Sequence, residues 1–292
     1  MDATPKQVLF PASFQELFAL WNRFPSAEPY AGGTGFGRSL DQRLMVLPTD
    51  TISLEKIEEL KRITRTERYI EIGAMVKLNE IINLGKIVPE ILIRTLEGIA
   101  GVHVRNSATI GGNLCEKTRR LDAAAAMAAL DAHFELRSAA SARWISASRF
   151  SATNPPALAH QELLTRIRIP LEQWNYSLYQ KFKSAGSNES GEVIIFIMKN
   201  QKSTLTDLRV VYSGNLLLQN REIEAPLIGK RLPLDRKEAL SFLDNWKHFL
   251  ESLETDASLK VISIMNTERK KNDLLKVQIL NFLENALLDI TD

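Results

Sequence analysis

The chain has 292 residues, room for two domains at roughly 100–200 residues each. Hydrophobic residues make up 45% and charged residues 25%, the balance of an ordinary globular fold. The net charge of +2 gives no electrostatic footing for nucleic acid or an acidic membrane, so neither is an expected partner.

The longest apolar run, Ala123–Leu130, is far short of the ~20 residues that span a bilayer. Met1-Asp2-Ala3-Thr4-Pro5-Lys6 lacks the charged-then-apolar signature of a secretory leader. The single cysteine, Cys115, excludes an internal disulfide and a cysteine-built zinc or iron–sulfur centre. The 4 histidines have no metal-ligand spacing, so no metal is expected. A cytoplasmic location is the expectation.

In chain order, Ser13-Phe14-Gln15-Glu16 is a capping box. Phe14, Leu17, Phe18 and Trp21 follow at helical spacing and predict an amphipathic helix. Leu44–Leu47 reads as a short strand ending at Pro48. Leu54, Ile57 and Leu60 share a face, which predicts a helix over Ser53–Lys61. Arg68–Gly73 alternates and predicts a strand. Leu78–Leu84 and Pro89–Ile99 read as helices, with Pro89 suited to a first turn. An alanine-rich helix near Leu121–Ala132 precedes strands at Phe134–Arg137, Ala142–Ile145 and Glu162–Ile169.

After Pro170 the pattern changes. Leu178–Lys183, Val193–Met198 and Leu208–Ser213 predict three antiparallel strands, followed by helices at Arg236–Glu254 and Asn266–Asp289. Leu274, Leu275, Val277, Ile279, Leu280, Phe282 and Leu283 predict that the last helix is largely buried. Strands followed by helices mark an α+β domain, with a boundary near Pro170–Tyr176.

Two loops carry the functional signal. Only 14 glycines are present, yet Gly32, Gly33, Gly35 and Gly37 fall within six residues. Glycine admits positive φ and lets amide N–H groups converge on an anion. Tyr30-Ala31-Gly32-Gly33-Thr34-Gly35-Phe36-Gly37 therefore reads as a phosphate cradle with the Thr34 hydroxyl as a further donor, or else as a plain glycine-rich turn. Gly32 to Ser39 nearly matches a P-loop, with Arg38 in the lysine position. A P-loop needs a helix directly behind it, whereas Leu40–Pro48 runs toward a strand. The spacing also fails the dinucleotide fingerprint of a Rossmann unit.

The second loop, His103–Asn113, offers Ser107, Thr109, Asn113 and the backbone amides of Gly111 and Gly112. Asp122, nine residues further on, suits the hydroxyls of a sugar or ribityl chain, or a helix N-cap. Arg105 suits a phosphate or a surface ion pair.

Together, Ala31-Gly-Gly-Thr34, Arg105-Asn-x-Ala-Thr-Ile-Gly-Gly-Asn-x-Cys115 and Leu130-Asp-Ala132 resemble one family in order, spacing and residue type. It is the FAD-binding medium subunit of the molybdenum hydroxylases, such as xanthine and carbon monoxide dehydrogenases. The likeness extends through Glu162–Pro170 and Tyr179–Phe182, over nearly the whole chain. The resemblance implies an α+β chain: a two-lobed FAD-binding domain of the vanillyl-alcohol-oxidase type at residues 1–172, with lobes of about 1–52 and 53–172, and a C-terminal domain at 173–292 with a three-stranded antiparallel sheet and helices. It implies FAD as cofactor, with Tyr30–Gly37 around the pyrophosphate and Thr109, Ile110, Gly111, Gly112 and Asn113 on the other side. Asp122 would take a flavin-side hydroxyl, Ile99 and Leu164 would lie near the cofactor, and Lys181 would sit close to the ring. The implied role is electron transfer from a molybdopterin-binding large subunit and a [2Fe-2S] small subunit to NAD or another acceptor.

The sequence departs from the family at three places. Gly35 stands where an acidic residue is usual. Glu116-Lys-Thr-Arg-Arg-Leu121 replaces a run of small residues, and the polar, Gly/Ser-rich Ser184–Glu192 stands where the family commonly carries Arg-Arg and an Asp near the flavin ring. A divergent paralogue that binds FAD weakly or not at all, and serves assembly, is the alternative.

Overall fold

The computed structural model describes residues 7–35, 50–117, 121–153, 155–182, 192–214, 217–255 and 266–291. The expected strand at Leu44–Leu47 lies outside these residues, as do Phe36, Gly37, Arg38, Ser39, Arg119, Arg120 and the stretch 184–191.

Contacts divide the chain into two compact units. The first comprises Met1–Glu172, Lys181–Val193 and Tyr212–Leu217. It opens with β1 (Gln7–Leu9), α1 (Phe14–Arg23), β2 (Glu28–Tyr30) and β3 (Asp50–Ser53). These strands form a parallel three-stranded sheet in the order β1-β3-β2. Ser13 caps α1, its Oγ accepting from the Glu16 amide at 3.2 Å. Glu16 reaches back to the Ala12 amide at 2.8 Å, one residue beyond the cap. Leu17, Phe18 and Trp21 are buried, as their spacing predicts.

The expected helix over Ser53–Lys61 is not formed. Ser53 ends β3, and only Glu58–Lys61 turns, as a 3-10 helix. Leu54, Ile57 and Leu60 are nevertheless all buried. A spacing of three suits the tighter turn, whose side chains at i and i+3 eclipse.

Next come β4 (Ile63–Arg65), β5 (Tyr69–Gly73), α2 (Leu78–Asn83), α3 (Glu90–Glu97), α4 (Val102–Arg105), α5 (Ile110–Leu114) and α6 (Ala123–Ala129). Pro89 is the residue before α3, not in its first turn. Then β6 (His133–Arg137), β7 (Ala142–Ser146), α7 (Ala147–Phe150) and β8 (Leu163–Pro170) complete an antiparallel sheet ordered β4-β5-β8-β6-β7. Ile70, Ile72, Phe134, Leu136, Ile167 and Ile169 are buried, and so is every residue of α6.

The other alternation on this sheet is polar. Glu71 accepts from Arg166 at 2.9 Å and from Arg168 at 2.6 Å. The Arg168 guanidinium lies between the Tyr69 and Trp144 rings, 4.6 and 4.2 Å from their centroids. These bonds tie β5 to β8 across their paired register.

The second unit comprises Gln173–Gln180, Ile194–Val211 and Leu218–Asp292. Strands β9 (Tyr176–Phe182), β10 (Glu192–Gln201), β11 (Thr204–Ser213) and β12 (Leu217–Leu218) form a sheet ordered β12-β11-β10-β9. Thus a two-residue fourth strand joins the three read from sequence. Helices α8 (Arg221–Glu224), α9 (Arg236–Thr255) and α10 (Asn266–Thr291) follow. In α10, Ile279, Phe282 and Leu283 are buried, but Leu274 and Val277 are exposed; the Leu275 side chain lies outside the described residues. No helix among the described residues is long and apolar enough to cross a membrane.

Two carboxylates predict opposite responses to pH. Burial works to raise the Glu71 carboxyl, but the bonds and charges of Arg168 and Arg166 outweigh it and hold it below its ordinary 4.5. Its stabilisation is present above that value and lost as the pH falls through the lowered one. Glu71→Gln is expected to cost about 1–2 kcal/mol at neutral pH, less than a fully buried pair, because both arginines reach solvent. It also flattens the acid limb of a thermal-unfolding series against pH. Burial pushes the Glu224 carboxyl up to about 7, against the pull of the Val210 amide and Arg221. The folded state then holds a proton that the unfolded state has released, so stability falls as the pH rises from 4.5 to about 7. Glu224→Gln removes that decline. Trp174 and Trp246 fluorescence in a chain carrying W21F and W144F reads it out.

Candidate functional site

The two glycine loops, some 70 residues apart in sequence, meet. A Cβ added at Gly32 would lie 1.9 Å from the Ser107 carbonyl oxygen and 3.2 Å from the Ala108 Cα. Only a residue without a side chain allows that approach. The same Ser107 oxygen accepts from Lys77 Nζ at 3.1 Å. Gly33 takes φ +70, and a Cβ there would stand 2.2 Å from the Tyr30 hydroxyl, so the Tyr30 ring folds over its own loop. Opposite Gly35 stands Glu116, its Oε2 3.1 Å from where a Cβ would be.

Hydrogen-bond accounting separates the loops. Among the described residues, no acceptor takes the amides of Gly32, Gly33, Thr34 or Gly35. With the positive φ at Gly33, these are donors held open to an anion. The second loop differs from expectation, because its glycine amides are already used. Gly111 N–H donates to the Ala74 carbonyl at 2.9 Å, and Gly112 N–H to Thr109 Oγ1 at 3.1 Å. Thr109 is thereby the N-cap of α5. Gly111 is required for packing: its Cβ would fall 2.7 Å from the Ala74 oxygen. Ile110 N–H goes to the Val76 carbonyl at 3.0 Å. What this loop leaves open is side-chain chemistry. The Thr109 hydroxyl keeps its proton to donate, and Asn113 Oδ1 is buried with no partner among the described residues.

Asp122, Lys181 and the turn beside Ile99 converge. The Asp122 carboxylate, 3% exposed, makes no cap bond, and its backbone is already helical. Instead Lys181 Nζ donates to it at 2.5 Å and to the Gly98 carbonyl at 3.1 Å. Residues 98, 122 and 181, far apart in sequence, are thus joined through one ammonium. Ile99 is buried, and so is Leu164 on β8. Next to Leu164, the Thr165 carbonyl accepts from Ala74 N–H at 3.0 Å, which links β8 to α5 through Ala74.

Arg105 meets neither a phosphate nor a carboxylate, the two roles its sequence position suggested. Its Nη1 lies 2.9 Å from the Glu97 carbonyl, 2.9 Å from that of Ile99 and 2.6 Å from that of Ala100. Arg105 therefore meets the last carbonyl of α3, that of Glu97, and two carbonyls of the turn beyond it. Sequence reasoning missed this because the carbonyls it caps carry no side-chain signature. Burial pushes the Cys115 thiol up to about 12, so it is not a nucleophile at neutral pH.

This arrangement suits a ligand that is anionic at one end and rich in hydroxyls along its length. Open amides face the first loop, while a carboxylate, a side-chain amide and a hydroxyl line the second and its helix. The fit meets the needs of a dinucleotide flavin.

The glycines carry different steric loads. Gly32→Ala drives a Cβ into a backbone oxygen and is expected to cost ~3 kcal/mol or more. Gly112→Ala meets only Thr109 Oγ1, at 2.9 Å, and disturbs a cap worth about 1 kcal/mol. Thermal unfolding of the two variants should separate them clearly; equal losses would contradict the contact at Gly32.

Residues 4–172 match the family described as the FAD binding domain in molybdopterin dehydrogenase. The nicotinate dehydrogenase FAD-subunit of Eubacterium barkeri is 25% identical over 290 residues, covering 94% of this chain and 96% of that one. Xanthine dehydrogenase 2 of Arabidopsis thaliana is 28% identical over 244 residues, 75% of this chain, but the match spans only 18% of that longer protein. In fold, the chain is similar to carbon monoxide dehydrogenase from Hydrogenophaga pseudoflava. The TM-score is 0.73 at 24% identity, covering 85% of this chain and 88% of that one. With more than half of its length matched, the chain belongs to the FAD-binding domain family of the molybdopterin dehydrogenases, whose cofactor is FAD.

Proposed function

We propose that the chain is the FAD-binding electron-transfer subunit of a molybdopterin-dependent dehydrogenase. Its partners are a molybdopterin-binding large subunit and a [2Fe-2S] small subunit, and its electrons go to NAD or another acceptor. The observation that carries this reading is the meeting of the Gly32–Gly35 loop, its amides open, with the Ser107–Asn113 loop. The nicotinate dehydrogenase FAD-subunit, similar along almost its whole length, supports it.

Bound FAD supplies the redox chemistry. The chain's own residues bind and orient it. The amides of residues 32–35 and the Thr34 hydroxyl hold the pyrophosphate, with Tyr30, Ala31, Phe36 and Gly37 completing the loop. Thr109 and Asn113 hold the ribityl side, on a turn shaped by Ile110, Gly111 and Gly112. Ile99 and Leu164 exclude water near the ring. Asp122 accepts a hydroxyl and holds Lys181, whose ammonium favours added negative charge on the ring. The FAD-binding domain covers residues 1–172 in two lobes of the vanillyl-alcohol-oxidase type, about 1–52 and 53–172, followed by an α+β domain at 173–292. The family match over 4–172 supports that boundary.

One observation favours the alternative, a weak binder serving assembly. The Glu116 carboxylate brings negative charge to Gly35, beside the donor loop. Titrating the purified chain with FAD decides between them. The expected outcome is a yellow protein with both visible flavin bands and quenched flavin fluorescence. A chain that stays colourless after reconstitution, yet still assembles with its partner subunits, would establish the alternative.

A further inference from the structure

Arg105 opens the motif that carries the family likeness but has no role in the cofactor site described above, yet its contacts reach the turn that anchors Lys181. We propose that Arg105 is a positioning residue of the cofactor site, acting through the Gly98–Ala100 turn on which Lys181 is anchored. This rests on the reading of the site as an FAD site.

Four consecutive carbonyls, those of residues 97–100, each meet a cation. Arg105 takes those of Glu97, Ile99 and Ala100, and Lys181 takes the remaining one, Gly98. Two cations thus divide one turn between them, with no carbonyl in common. The turn is not a relaxed stretch of chain. Ala100 has φ +46, a region that residues with a Cβ rarely enter. Such a conformation persists only where its surroundings over-determine it, and it concentrates at functional sites. The shortest of the Arg105 contacts, 2.6 Å, is to Ala100 itself.

Lys181 depends on this turn. Among the described residues its ammonium has two anchors, the carboxylate of Asp122 at the start of α6 and the Gly98 carbonyl. If the turn moves, one anchor moves with it, and the charge beside the ring is displaced. All three contacts fall on Nη1, so its two N–H bonds are shared among the carbonyls of Glu97, Ile99 and Ala100, and the long arginine side chain is what carries that nitrogen to the turn.

The test is Arg105→Gln in the full chain, with FAD as the probe. The readouts are the dissociation rate of FAD, the visible circular dichroism of the bound flavin, and thermal unfolding. With the variant folded, FAD is expected to leave at least about tenfold faster, as the loss of a charged hydrogen bond implies. The visible dichroism of the remaining bound flavin is expected to change, because Lys181 shifts at the ring. A folded variant with the parent's dissociation rate and dichroism overturns the proposal. If Arg105→Gln does not fold, Arg105→Lys takes its place. It keeps the charge but its nitrogen ends one bond short of the Nη1 position, so the dichroism is expected to change again, and a parental spectrum overturns the proposal. Failure of the unmutated chain to take up FAD is a different result, and it removes the site reading on which the proposal stands.

Discussion

A helix ends with its last carbonyls unpaired and carrying partial negative charge, and something must meet them. At the end of α3 Arg105 takes the last helical carbonyl, that of Glu97, and Arg105 and Lys181 together take those of residues 98–100 in the turn beyond it. The consequence reaches beyond one helix. Arg105 ends α4, just before the Ser107–Asn113 loop. Lys181 lies on β9 and binds Asp122 at the start of α6. One turn of backbone therefore holds the second loop, the alanine-rich helix and the lysine in mutual register.

Backbone accounting assigns the two loops different tasks. The second loop uses its amides internally, on Ala74, Val76 and Thr109, and gains a fixed shape. That shape includes the Ser107 carbonyl on which Gly32 rests. The first loop keeps its amides open. The internally bonded loop thus supports the open one, and the backbone amides open to an anion lie on the first loop. Two opposed amide nests, as the glycine pattern suggested, would have required Gly111 and Gly112 to leave their present partners.

Much of this was legible in the sequence, where a residue's role depends on its own side chain. The scarce glycines marked the loops because close approach and positive φ permit nothing larger at Gly32 and Gly33. The buried faces of α1 and α6 followed from apolar spacing. Roles set by backbone partners were not legible. Arg105 bonds only to carbonyls, and Asp122 could equally have capped α6. The parallel β1-β3-β2 sheet escaped because its strands are three or four residues long, and β2 contains Pro29. Leu54, Ile57 and Leu60 were read as an α-helix because spacing alone does not separate that from a tighter turn. Leu274 and Val277 were read as buried because every face of α10 carries apolar residues, and packing alone selects which one is covered.

The departures from the family pattern at Gly35 and Glu116 look independent in sequence, but in space they are one feature. Glu116 Oε2 stands 3.1 Å from the place of a Cβ at residue 35, so the missing side chain is what admits this carboxylate. An acidic residue restored at position 35 alone would set two carboxylates about 4 Å apart, a repulsion of about 4 kcal/mol at a protein-surface dielectric. Restoring a small residue at 116 alone would leave the loop without its neighbouring negative charge. The two positions are coupled both sterically and electrostatically. In this chain the carboxylate beside the anion-binding loop is carried by Glu116, just past the end of α5.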